Sequence, residues 1–259
     1  MIVERRISPD AMPDAAIAPQ AATALIGAIG TPGFIAAAMA FGERMIGAGF
    51  ISVFCQGDRD KPLLVGTATR LDHRRAERAA RGYEGHAQED RNSDYLLGKE
   101  GDGDFMTVQE AASLASFTYR RDCYEGPGIS SRISLIRRRH SYGLAVNLYS
   151  ASEDGPFSAD VYDRALATLG MLLAATERHV AFSLQGDVWQ GQDIQTRLAL
   201  TYPDLTRRER EVAAMSIKGR TASEISEILG LSETTVITHR KNAYKRMNVR
   251  SLRHLMART

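Results

Sequence analysis

Between Ser232 and Met247 the chain reads SETTVITHRKNAYKRM, and its hydroxyl and ammonium side chains gather on one side of a helix. At about 100° per residue, with Val236 as zero, Thr234, Thr238, Lys241 and Lys245 lie within about 40° of the opposite side. Ile237 and Asn242 flank them. Ala243 and Met247 fall within about 20° of Val236 and continue the buried stripe. A face of threonines and lysines without a carboxylate suits the electronegative major groove of a duplex, whereas an ordinary solvated face mixes both signs of charge. His239 and Arg240 lie beside the core stripe, placed for packing or for backbone phosphates, which fix register where base contacts specify sequence.

Other chemistry finds little to work with. The histidines (His73, His86, His140, His179, His239 and His254) are scattered, none at metal-ligand spacing to another histidine or a cysteine. Cys55 and Cys123 are too far apart in sequence for a disulfide framework or a metal pattern and are expected as reduced core residues. GKEGDGD lacks the P-loop lysine pattern, G-x-S-x-G does not occur, and no nucleophile is paired with a nearby base. An enzyme is not the expectation, and no cofactor or metal is implied.

Local signals position the basic face. Thr206-Arg207-Arg208-Glu209 and Thr221-Ala222-Ser223-Glu224 are both T-x-x-E capping boxes, whose threonine and glutamate satisfy the orphan amides of a helix start. They predict helices from Arg207 to Ile217, stopping at Gly219, and from Ala222 to Leu229. Gly230 supplies the turn, Ser232 caps a third helix reaching about Asn248, and Ser251 starts a fourth. Charge agrees: from Leu205 to Thr259 there are 12 Lys plus Arg against 5 Asp plus Glu, a surplus of +7. Because the whole chain carries +2, the first 204 residues carry −5, and the C-terminal fifth is the part that meets a polyanion.

The run LTRREREVAAMSIKGRTASEISEILGLSETTVITHRKNAYKRMNVRS resembles the C-terminal DNA-binding domain of LuxR-type transcriptional regulators. The likeness lies in the leucine-threonine start, R-E-x-E-V, the glycine before helix two, E-I-x-x-x-L-G-L-S, T-V-x-x-H and the M-x-V-R-S ending. It covers roughly Leu205 to Ala257. The resemblance implies base contacts from Ile237, Thr238 and Lys241, and backbone contacts from Thr221, Thr234, Thr235, Arg240 and Lys245. It further implies double-stranded DNA with an imperfect palindrome as partner, a homodimer, and RNA polymerase where the regulator is an activator. Arg207 stands where the family often has proline, and Ser226 where alanine is common. The fourth helix, a dimer-forming element in relatives, is short here, which shifts the expected dimer contact towards the N-terminal domain.

The chain's 259 residues, 44% hydrophobic and 25% charged, are enough for two cores. No apolar run approaches the roughly 18 residues of a membrane span, and the N-terminus lacks a continuous secretory apolar segment, so a cytoplasmic protein is expected. The spacing predicts a helix from Ala21 to Ile29 and a second capped by Thr31 with Pro32 at its first position, its core face formed by Phe34, Ala38, Phe41 and Met45. Strands follow over Phe50–Gln56 and Pro62–Thr69, then a charged helix over Arg74–Gln88 and another over Thr107–Phe117. Two more strands alternate through Ile133 and Leu135 and through Leu144, Val146 and Leu148, with RRHSYG as their hairpin connection. Ser158 caps a long helix to about Phe182, whose stripe runs through Val161, Ala165, Leu169, Leu172, Thr176 and Val180 and is wide enough to serve as a dimer contact.

This order predicts an α+β, sensor-like N-terminal domain, a PAS/GAF-like α-β-α sandwich over residues 1–183, a linker over 184–204, and an all-α four-helix helix-turn-helix domain over 205–259. The N-terminal domain senses a small-molecule effector or holds the dimer. A ligand pocket would draw on Phe50, Phe54, Tyr83, Tyr95, Tyr119, Tyr124 and Tyr149, although aromatics on strands and helices usually serve the core. Lactone-binding relatives use tryptophans, a tyrosine and an aspartate followed by proline. This chain has no tryptophan before Trp189 and no Asp-Pro in the region around Tyr83, Asp90 and Asp94, so that site does not carry over. An acyl-homoserine-lactone receptor and a ligand-independent interaction module stand as the alternatives.

Overall fold

A computed structural model describes residues 2–7, 17–56, 62–71, 75, 79, 83, 86, 88–97, 99–140, 142–183 and 194–249. It divides into two compact units, one built from Met1–Gln56, Lys61–Arg139 and Gly143–Phe182, the other with its helices within Ser183–Thr259.

The first unit is organised by a six-stranded sheet. Its strands are β1 (Ile2–Ile7), β2 (Phe50–Gln56), β3 (Leu63–Thr69), β4 (Gly103–Glu110), β5 (Ile129–Arg139) and β6 (Tyr142–Ala151), in the order β1-β4-β5-β6-β2-β3. β1 with β4, β4 with β5, β2 with β6 and β2 with β3 pair antiparallel. Strand alternation sends Ile51, Val53, Ile133, Leu135, Leu144, Val146 and Leu148 to one face, all fully buried. On that face lies α2 (Phe34–Ile46), so close that a Cβ on Gly42 would stand 2.6 Å from Leu148 Cδ2. α1 (Pro19–Gly27) packs on α2, and the long α5 (Ala159–Ser183) stacks His179 on Phe34 and ties Glu177 to Arg137 of β5 at 2.6 Å.

The opposite face carries Phe50, Ser52, Phe54, Arg132, Ser134, Ala145, Asn147 and Tyr149, and it too is buried. Over it sit α3 (Asn92–Leu96) and α4 (Phe117–Arg120), the latter running into a single π turn over Arg121–Glu125. Asn92 ties the polar residues together: its side-chain amide donates to Ser134 Oγ at 2.7 Å, and its oxygen accepts from Thr107 Oγ1 at 2.8 Å. Buried hydroxyls and amides are tolerated here because they satisfy one another.

The expected helix over Thr107–Phe117 is instead the second half of β4 and a connection. Met106, Gln109, Glu110 and Ala111 favour helix locally, but pairing with both β1 and β5 satisfies the backbone and buries Phe105, Met106 and Val108, which decides the outcome. β1 was not anticipated at all. Thr31 does not cap α2; its hydroxyl donates to Ala28 O at 2.8 Å, and the helix begins at Phe34 after Gly33. Between the two helices expected over Arg74–Gln88 and Thr107–Phe117, Asn92–Leu96 forms a short helix. The helix expected over Arg74–Gln88 falls largely outside the described residues, as do Trp189, His73, His254 and the helix expected from Ser251. Among the described residues no helix is long and apolar enough to cross a membrane.

In the second unit α7 (Arg207–Ile217), α8 (Ala222–Leu229) and α9 (Glu233–Arg246) follow the capping signals. The expected linker contains α6 (Ile194–Thr201), whose Leu198 packs with Leu205, Ala213, Ala214, Ala243 and Met247. A second cluster takes one fully buried residue from each helix, Val212, Ile225 and Val236. This three-way contact fixes α8 against α9, with burial of each branched side chain worth roughly 1.5–3 kcal/mol.

Candidate nucleic-acid interface and ligand cavity

Both capping boxes are complete. Thr206 Oγ1 accepts from the Glu209 amide while the Thr206 amide donates to Glu209 Oε2 at 2.9 Å, and Thr221 and Glu224 repeat the arrangement at 3.2 and 2.8 Å. Gly230 adopts a left-handed φ of 64°, where a side chain would be strained, and turns the chain into α9. Ser232 Oγ accepts from the Thr235 amide at 3.2 Å. These local contacts set the start and phase of α9 without help from distant sequence.

With Val236, Ala243 and Met247 buried, α9 exposes Thr234, Ile237, Thr238, Lys241, Asn242 and Lys245. Ile237 is 45% exposed, a large apolar side chain held in solvent beside the buried Val236. The Thr238 hydroxyl donates to Thr234 O at 2.9 Å, so its oxygen lone pairs and methyl group remain for an external partner. Arg240 and His239 are half-buried beside the core stripe, and Thr235 is half-buried at the helix start, bonded to Ser232. Thr221 is differently placed: its amide and hydroxyl are both engaged with Glu224, whose carboxyl is held below its ordinary range by the Thr221 amide, Arg220 and the Thr221 hydroxyl.

The first unit holds a cavity of about 400 Å³ of empty space, counting its open mouth. Phe50, Phe54, Tyr83, Tyr119, Tyr124 and Tyr149 line it together; Tyr95 does not, packing instead against Phe105 and Leu96. Sequence reasoning missed Ser52, Thr67, Cys123 and Arg132 on its wall, and for Arg132 the reason is strand alternation. Arg132 and Ser134 alternate with the apolar Ile133 and Leu135 and so read as a solvent face, but α3 and α4 cover that face. The π turn presents Cys123 and Tyr124, and burial pushes the Cys123 thiol up to about 12.

Behind the wall Arg132 grips Asp90 with two bonds of 2.7 Å, both residues over 95% buried. Burial opposes the guanidinium's charge, yet the Asp90 carboxylate more than offsets it and Arg132 stays firmly protonated. The tyrosines around this pair are held protonated, chiefly by burial. Tyr149 bonds Ser52 Oγ at 2.9 Å. The Tyr119 and Tyr124 hydroxyls and Arg132 Nε, all buried, have no partner at hydrogen-bond geometry.

Residues 203–258 match the family model for bacterial regulatory proteins, luxR family. The chain is similar to the transcriptional activator protein AnoR of Acinetobacter nosocomialis, at 28% identity over 124 residues, 42% of this chain and 48% of that protein. It is similar to the transcriptional activator protein LuxR of Aliivibrio fischeri at 47% identity over 45 residues, 17% of this chain and 18% of that one. Among solved structures, SdiA in complex with octanoyl-rac-glycerol aligns over 95% of both chains at 13% identity and a TM-score of 0.49. The chain spans about half the length of the curated relatives it matches, or less. Its C-terminal unit, over residues 203–258, is a luxR-family domain of bacterial regulatory proteins, and its relatives are LuxR-type transcriptional activators.

Proposed function

We propose that this protein is a sequence-specific DNA-binding transcriptional regulator whose C-terminal unit reads double-stranded DNA and whose N-terminal unit senses a small molecule. The observation that carries the reading is the acid-free, exposed face of α9, with Thr238 and Lys241 on it and Ile237 at its edge. In the groove Lys241 donates to base acceptors, Thr238 accepts from an exocyclic amine because its own proton is committed to Thr234, and Ile237 packs on a thymine methyl. Thr234, Thr235, Arg240 and Lys245 hold phosphates. A phosphate at Thr221 has to displace the Glu224 carboxylate, so that contact is the weakest of the set.

The N-terminal unit is read as a PAS/GAF-like sensor, supported by its antiparallel sheet with helices on both faces, and the segment from Ser251 as the fourth helix of the reader. Two such chains form a homodimer that binds half-sites about one helical turn apart, near 34 Å, hence an imperfect palindrome. The test is selection from a genomic fragment library by the full-length protein, beside a Thr238→Ala, Lys241→Ala double variant. Enrichment of a palindromic site that the double variant loses supports the reading; enrichment indifferent to the substitutions overturns it.

A further inference from the structure

We propose that the exposed, uncharged face of α1, continued by Phe182 at the end of α5, is where a second copy of this chain docks. This rests on the homodimer reading above and assigns its surface. Residues 15–42 contain no Asp, Glu, Lys or Arg, in a chain where 25% of residues are charged. Burial accounts for this along α2, which lies against the sheet, but not along α1, where Leu25 alone is buried. Thr23, Ala24, Ile26 and Gly27 are exposed, Ile26 at 55%. With Thr23 as zero, Ile26 stands at about −60° and Gly27 at about +40° on the helix, while Leu25 points away. The Thr23 hydroxyl donates to Pro19 O at 2.9 Å, so its proton is already committed within the helix. The face continues onto α5 through Gly30, where a Cβ would stand 3.6 Å from Phe182 Cβ. Phe182 is 50% exposed, with only the Arg178 guanidinium over its ring, at 5.9 Å.

Large apolar side chains held in solvent on an uncharged face mark an interface, whose core is depleted of charge and enriched in aromatics. The charges also choose the occupant. A two-fold contact sets residues near the axis against their own copies, so a charged face repels itself and an uncharged one does not. A helix lying in a membrane surface carries Lys or Arg along its polar side, and α1 has none. The stripe on α5 expected to hold the dimer, Val161, Ala165, Leu169, Leu172, Thr176 and Val180, is under 9% exposed at every position and has no surface left to offer. A face one short helix long is smaller than the roughly 800 Å² per partner of a standard interface, so association should be weak, with a dissociation constant of about 1–100 μM.

The test is sedimentation velocity of the full chain across that concentration range. The wild type should pass from monomer to dimer, and Ile26→Arg should raise the dissociation constant at least about tenfold, with an unchanged circular dichroism spectrum because the position is exposed. Thr23→Cys gives an independent reading: a short bis-maleimide should join two chains through it, and adding Ile26→Arg should abolish the product. Cys55 and Cys123 do not compete, since both are buried and their thiols are pushed up to about 12. A dimer that Ile26→Arg leaves intact, or that Thr23→Cys fails to join, overturns this surface and leaves the homodimer reading standing. A chain that stays monomeric throughout overturns both, and capture of that monomer by phosphatidylglycerol vesicles, lost in Ile26→Arg, would give the face to a membrane instead.

Discussion

Arg246 Nη1, at the end of α9, lies 2.6 Å from Glu209 Oε2, in the first turn of α7. The same carboxylate oxygen accepts from the Thr206 amide at 2.9 Å, so one residue both caps α7 and anchors the far end of the DNA-facing helix. Glu209 is buried while Arg246 is 44% exposed at its side chain. The pair thus joins a solvated guanidinium to an enclosed carboxylate.

Glu209→Gln should therefore destabilise the C-terminal unit by about 1–2 kcal/mol, through a weakened cap and the lost pair with Arg246. Urea unfolding followed by circular dichroism measures this. Binding of specific and non-specific DNA should fall together, since the change loosens the helix without touching a base. A loss confined to the specific site would instead give Glu209 a part in readout.

Asp90→Asn should be far more damaging to the N-terminal unit, about 3–5 kcal/mol, because it leaves the Arg132 guanidinium enclosed without a counter-charge. Combining Asp90→Leu with Arg132→Met, which removes both charges, should recover much of that loss. A double variant as unstable as Asp90→Asn would mean that the fold depends on the pair for more than charge balance.

The pair also marks where the sequence was least legible. Capping boxes, Gly230 and the stripe on α9 are local signals, so the reader's helices and exposed residues could be placed from spacing alone. Asp90 and Arg132 stand 42 positions apart, and their meeting depends on α3 lying across β5. Nothing in either neighbourhood announces that. The same holds for β4, where long-range pairing outweighs local preference, whereas the seven candidate cavity aromatics are named by residue type alone, and Phe50, Phe54, Tyr83, Tyr119, Tyr124 and Tyr149 lie on the cavity wall.

His179 gives the N-terminal unit an acid sensitivity with a defined sign. Its ring stacks on Phe34 at 4.1 Å, its Nδ1 accepts from the Gly30 amide at 3.2 Å, and burial lowers its pKa from 6.5 to about 4. Between those values the unfolded chain binds a proton that the folded chain refuses, so stability falls as pH drops from about 6.5 towards 4, by on the order of 2–3 kcal/mol. His179→Phe should flatten that slope. The comparison should be made as a difference between the two proteins, because His86, bonded to Glu89 and Asp122, has a raised pKa and contributes in the opposite sense. An unchanged acid slope in the variant would assign the sensitivity elsewhere.

Lys245→Ala should weaken all DNA sequences alike and reduce the slope of log affinity against log salt by about one, the signature of a phosphate contact. Fluorescence anisotropy across a salt series, on specific and random duplexes, reads both quantities. A loss restricted to one sequence would move Lys245 to the base-reading set.

The most direct measurement is the affinity of wild type and Lys241→Ala for the enriched palindrome, for its single-base variants and for random duplex at one fixed salt concentration. Base readout by α9 predicts that Lys241→Ala costs about 1–3 kcal/mol on the palindrome, much less on random DNA, and relaxes preference at one base pair in each half-site. Equal losses on palindrome and random duplex, with every base preference intact, would contradict it.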